Sequence, residues 1–302
     1  NRSMEWYCWT EVADLATGRG GGGSGGTGAA AWIAGGNPAR TITEEWSAPA
    51  TFRQFNVGDI YYNADPSSGV LKYVGYGSGT WASGGNLNTA RGNLAGGAVG
   101  TQTAGLAFGG NTGSVVDNTE KYDGSAWTES GDLNTARVDL AGLGTQTAAM
   151  GAGGEGPPEL ANVETFDGSS WTETTDVPTV TRVASGAGTT TASLVFGGTP
   201  GNPTIYANTE SYNGTSWTEL NDLPATNSSL AGAGTQTSAI AAGGNPPITA
   251  NAFSWNGTSW TSTPSLNQAR YNIKGAGASN TSAIAFGGYP DSGAYYALTE
   301  NW

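Results

Sequence analysis

Apolar positions along this chain come in short runs that recur. A small-residue segment such as "LAGLG" (140–144) is followed by a second, "TAAMGAGG" (147–154). The next segment in a unit ends in an aromatic, as "TEKYDG" does at 119–124, and the last carries a tryptophan, as "SAWTE" does at 125–129. Each has the length of a β-strand. Between the third and fourth stand "DG" or "NG", at 123–124, 167–168, 213–214 and 256–257, which tolerate the positive φ of a tight hairpin. The doublet "GG" closes the second segment at 35–36, 109–110, 153–154, 197–198, 243–244 and 287–288, and the last five doublets are 44, 44, 46 and 44 residues apart. Four short strands at that period predict the blades of a β-propeller rather than a helical solenoid, and the units number six.

Two aromatic columns agree with this count. Trp46, Tyr122, Phe166, Tyr212, Trp255 and Trp302 end third strands; Trp9, Trp81, Trp127, Trp171, Trp217 and Trp260 sit in fourth strands. One tryptophan per unit at a fixed place is what filling the wedge between twisted sheets requires, so packing is expected of them before sugar binding. The chain ends on a third strand ("ALTENW", 297–302) and begins on a fourth ("YCWTE", 7–11). An N-terminal strand completing the last blade closes the ring and removes the open sheet edges of a linear array. The prediction is an all-β, six-bladed propeller over residues 1–302, closed by its N-terminal strand.

Two stretches depart from the repeat. Residues 47–79 interrupt the first unit between its third and fourth strands; there "DIYYN" and "VLKYV" flank "ADPSSG" and predict a two-stranded hairpin. It is expected on the face carrying the first-to-second strand turns, with Tyr61, Tyr62 and Tyr73 making it a docking element; joined to the propeller edge it makes a seventh blade defensible. The other stretch, "TGRGGGGSGGTG" (17–28), reads as a flexible linker or as a glycine-rich innermost strand, and its alignment with other first strands favours the strand.

Composition narrows function mostly by exclusion. With 50 glycines and 11 tryptophans in 302 residues and 12% charged residues, the chain is neither a charge-rich disordered segment nor a helical bundle. A net charge of -13 and a pI near 4.2 oppose nucleic-acid binding. No apolar run reaches the roughly 18 residues of a membrane helix, so membrane insertion is not expected. Cys8 is the only cysteine and histidine is absent, which removes intrachain disulfides, Ser-His-Asp and Cys-His catalysis and the usual zinc sites. No metal or cofactor is expected. The chain opens on Asn1 rather than Met, as a processed or partial product would.

An arginine opening the first strand, "GG" closing the second, and an aromatic and tryptophan spaced as in "YDGSAW" (122–127) resemble kelch repeats, over nearly the whole chain apart from 47–79. The resemblance implies a propeller whose activity stays open, since kelch-like folds serve as partner-binding modules, as adhesins and in one copper oxidase. That oxidase chemistry needs histidine ligands absent here. The phrasing "LNTAR…GTQTA…AFGG…TE…W", with "GDIYYN…VLKY…GTW" inside 58–85, is similar to kelch-like proteins carried by tailed phages of marine bacteria and to hairpins of phage tail fibres. It implies a virion protein whose partners are other virion proteins and a host-surface glycan or receptor, with copy number and self-association in the particle left open.

Candidate binding residues follow. Arg19, Arg91, Arg137, Arg182 and Arg270 occupy one position in five units, with Asn227 in the sixth. In kelch-like folds that position lies near the channel rim, where guanidiniums could capture carboxylates or acidic sugars; the competing reading is that each ties its blade to a neighbour's backbone. The loops after the "GG" doublets vary and share that face, and Tyr206, Tyr289, Tyr295 and Tyr296 on them suit stacking on sugars or anchoring a partner. Glu120, Glu164, Glu210 and Glu300 recur once per blade, whereas glycoside hydrolysis needs two carboxylates within roughly 5–10 Å. The expected function is non-enzymatic attachment by a virion structural protein. A secreted or cell-surface bacterial adhesin is the alternative, and a glycan-acting enzyme a third.

Overall fold

The computed structural model describes residues 10–48, 80–95, 99–156, 158–201, 203–290 and 295–302. These form six four-stranded antiparallel sheets, one per repeat, and no helix. Blade 3 shows the pattern: Ala141–Thr145 pairs with Ala148–Ala152, that strand with Val163–Phe166, and that one with Trp171–Thr174. Blade 1 begins with Gly23–Gly26, so the glycine-rich stretch is an innermost strand. Blade 6 is built from Lys274–Ser279, Ser282–Phe286, Thr299–Asn301 and Thr10–Glu11, so a strand from the N-terminus closes the ring as the repeat phase predicted. Trp9 lies outside the described residues, as does 49–79 with Tyr61, Tyr62 and Tyr73. The stem of the insertion is described: Ser47 pairs with Thr80, at the end of the sheet where Ala30 of the first hairpin pairs with Ser47.

Small inner residues are a steric requirement. A Cβ on Gly25 would come within 2.2 Å of the Val99 carbonyl oxygen of the next blade. Farther out, fourth-strand tryptophans bridge blades: the Nε1–H of Trp127, Trp171 and Trp260 donates to Thr43, Thr119 and Thr209 of the preceding blade at 2.9, 3.0 and 2.9 Å. The same rings pack on aromatics, as Trp171 does on Phe108 of blade 2 at 4.7 Å between centroids. Inter-blade packing is thus their role.

The "GG" doublet adds a backbone tie. Gly109 and Gly110 adopt φ of 65° and 113°, a region open mainly to glycine, and this turns the Gly110 amide onto the Arg137 carbonyl of blade 3 at 2.9 Å. The second glycine of every doublet does likewise, to the carbonyls of Arg91, Arg137, Thr181, Asn227, Arg270 and, closing the circle, Arg19.

Candidate functional site

The six carbonyls just named define one equivalent position per blade. Four carry arginines, Arg19, Arg91, Arg137 and Arg270, and all four are fully buried. Arg137 donates to Glu164 at 2.8 Å and to the carbonyls of Asn162 and Gly153 at 2.7 and 3.3 Å, all within its own blade. Arg270 pairs with Glu300 at 2.7 Å, and Arg19 and Arg91 with Glu44 and Glu120. Burial pushes the Arg19, Arg137 and Arg270 guanidiniums below their ordinary range, opposed by the partner carboxylate. These arginines are therefore not ligand-facing rim groups: side chain to its own blade and carbonyl to the preceding one, each is an interior tie.

The other two units differ. In blade 4 the equivalent residue is Thr181, so Arg182 is one position out of phase; it reaches the surface and pairs with Glu155 of blade 3. Asn227 in blade 5 is buried and donates from Nδ2 to the Gly243 carbonyl at 2.7 Å, another interior bond. Its blade has Phe253 where the others carry glutamate, so the acid and its arginine are lost together.

The channel rim belongs to residues two beyond the arginine position. Asn93, Asp139, Ser229, Asn272 and Val183 have φ between 49° and 56°, and Gly21 has 65°. Their backbones form a ring in which Asp139, Val183, Ser229 and Asn272 donate in turn to Asn93, Asp139, Val183 and Ser229 at 2.7–3.1 Å, and Gly21 and Leu94 close it. Asp139 of blade 3 and Lys274 of blade 6 face each other across the axis within a narrow space also lined by Val183, Ser229 and Asn272. Burial raises the Asp139 carboxyl to about 6 against the pull of Lys274 and Arg182, and lowers the Lys274 ammonium to about 8. Single-residue spacing gave no sign of this pair, because it joins opposite blades.

On the same face, two of the predicted loop tyrosines come together. Tyr289 lies between Tyr271 and Tyr295, with centroids 5.3 and 5.0 Å apart, and all three rings are partly exposed. The Tyr296 carbonyl accepts the Arg19 amide at 3.1 Å, which fixes this loop of blade 6 to the entry of blade 1. Arg40 on the blade 1 loop acts on the Tyr295 hydroxyl electrostatically, while burial and Tyr289 raise that group. Among the described residues Arg40 has no carboxylate partner, and its Nε is without a hydrogen bond. Tyr206 stands apart over blade 4. Tyr271 and Arg40 were not singled out from sequence: one sits beside Arg270, the other in the variable loop that follows Gly35–Gly36.

No family model matches the chain, and no curated protein matches it. Among solved structures, that of YjhT is similar over 95% of this chain and 96% of its own, with a TM-score of 0.71 at 12% identity, a likeness of propeller fold.

Proposed function

We propose that this propeller is a non-enzymatic attachment module, a structural protein of a tailed-phage particle, which contacts a host-surface glycan or receptor through its variable-loop face. The observation carrying this reading is the Tyr271–Tyr289–Tyr295 cluster, three partly exposed rings on blade 6, with Arg40 of the blade 1 loop close enough to act electrostatically on Tyr295. Aromatic faces stack on sugar rings, and a guanidinium with no carboxylate partner among the described residues suits the carboxylate of an acidic sugar or side chain. The recurring glutamates support the absence of glycosidase chemistry: four are closed into ion pairs, one per blade. Attachment to other virion proteins then falls to the 47–79 insertion, whose stem leaves from the opposite face.

The test is adsorption of the labelled chain to candidate bacterial cells, beside Tyr289→Ala/Tyr295→Ala, Arg40→Ala and a version lacking residues 49–79. Loss of adsorption in the first two with retention in the third is expected. Undiminished adsorption without the tyrosines and Arg40, or none by the intact chain to any host, overturns the reading.

A further inference from the structure

In blades 1, 2, 3 and 6 the third-strand glutamate is satisfied twice. One carboxylate oxygen takes the arginine. The other takes a backbone N–H three residues before it: Ala16 to Glu44, Asn88 to Glu120 and Asn134 to Glu164 at 2.7 Å, and Asn267 to Glu300 at 2.8 Å. Blade 4 lacks both donors. Thr181 replaces the arginine, and Pro178, which has no N–H, stands three residues before it. The acid nonetheless remains: Glu210 is 5% exposed, and its Oε2 has no hydrogen-bond partner.

Blade 5 shows that the fold has a neutral solution to the same two losses. There Pro224 and Asn227 stand at the donor positions and Phe253 takes the place of the acid. Blade 4 keeps a buried carboxylate with no cation beside it: burial and Glu219 push it above its usual range, only the Thr179 hydroxyl opposes them, and the missing charge partner costs stability. Its nearest sequence cation, Arg182, is committed to Glu155.

Space accompanies the missing cation. A narrow, solvent-open cleft beside Glu210 is lined by Val177, Thr179, Thr181, Gly197 and Tyr206. The carbonyls of Gly197 and Asn208 correspond to those of Gly153 and Asn162, which accept Arg137 in blade 3. Val180, next to Thr181, is 38% exposed, the one large apolar side chain so exposed among the described residues.

We propose that the blade 4 cleft binds a guanidinium group supplied from outside, which takes the place that the chain's own arginine holds in four sister blades. A planar fork of N–H donors matches a carboxylate oxygen flanked by two carbonyls, which a spherical ammonium does not. The Tyr206 ring and the apolar Val177 side chain suit the cation's face and stem. The group comes on a small alkylguanidine or on an arginine of a partner chain. This site shares no residue with the tyrosine cluster, so either proposal can fail without the other.

The test uses the whole chain in thermal unfolding and calorimetry, with methylguanidinium and N-acetylarginine amide as probes and matched sodium chloride and ammonium chloride as controls. The expected result is a rise of a few degrees in Tm at millimolar probe, absent with the controls. Tighter binding of the arginine amide assigns the source to a polypeptide, and equal binding to a small molecule. The response should vanish in Glu210→Gln, and in Thr181→Arg, which refills the site with a tethered guanidinium. If Thr181→Arg does not fold, Glu210→Gln and Tyr206→Ala carry the test. No stabilisation of the native chain, a response retained in Glu210→Gln, or an equal response to ammonium overturns the proposal.

Discussion

Arg137→Asn offers the sharpest test of the interior ties. The substitution removes a charged hydrogen bond to Glu164 and two to backbone carbonyls, and strands a carboxylate that is 1% exposed. Breaking a buried pair from one side costs about 3–5 kcal/mol, mostly through the charge left behind. For a chain of 302 residues, near about 2 °C per kcal/mol, that is a fall in Tm of roughly 6–10 °C. Blade 5 supplies the rescue: Arg137→Asn combined with Glu164→Phe copies Asn227 and Phe253, and is expected to recover most of the loss. Urea titration followed by tryptophan fluorescence, on the wild type, both single variants and the double, completes a thermodynamic cycle. A cost below about 1 kcal/mol for Arg137→Asn, or a double variant no more stable than either single, would refute the argument that the charge drives the penalty.

Two further outcomes follow from the channel. Asp139 is raised to about 6 from an ordinary 3.8, so its protonated form favours the folded state; the favourable contribution is complete below the unfolded value and is lost as pH rises through about 6. Asp139→Asn should therefore match wild type near pH 4 and exceed it near pH 7.5 in denaturation midpoint, by at most about 3 kcal/mol and less as channel water screens the charge. Val183 holds a β-branched side chain at φ 49°, where two of its five equivalents are Asn93 and Asn272. Val183→Asn should raise stability by about 1 kcal/mol, and a loss would show that the valine's packing outweighs its backbone strain.

The fold was legible because repetition multiplies weak signals. A single "GG" or "NG" says little, but six doublets in phase with two aromatic columns point to the strand order and ring closure, and favour an inner strand within 17–28; the sheets have that order and closure, with the inner strand at Gly23–Gly26. Function was less legible for the same reason. Arginines that recur look like a functional ring, yet the partner that explains them lies 25–30 residues on, as Glu44, Glu120, Glu164 and Glu300, each in the same blade. Pairing the two columns reveals it, since blade 5 loses both residues together. Arg182 misled by one position because only the hydrogen bond from Gly154 shows that Thr181 holds the place. The electrostatic influence of Lys274 on Asp139 and of Arg40 on Tyr295 joins different blades, and depends on closure of the ring.

In a molecule made of near-copies, what recurs here is scaffold, and departures that the fold does not compensate internally, as blade 5 does with Asn227 and Phe253, are the places to look for function. Burying four of the 11 basic residues against four of the 24 acids leaves the surface more one-sidedly acidic than composition implies. Two places stand out against that background. Near the tyrosine cluster Arg40 is a cation with no carboxylate partner among the described residues, which is the basis of the contact proposed there with an anionic or sugar-bearing group. At Glu210 the repeat withholds its own cation, and the surrounding acidic field steers a foreign one inward. The two sites want opposite charges, so salt should weaken both while a polyanion competes only at the first. The two proposed sites are therefore best dissected blade by blade, using the regular blades as the internal control for the irregular ones.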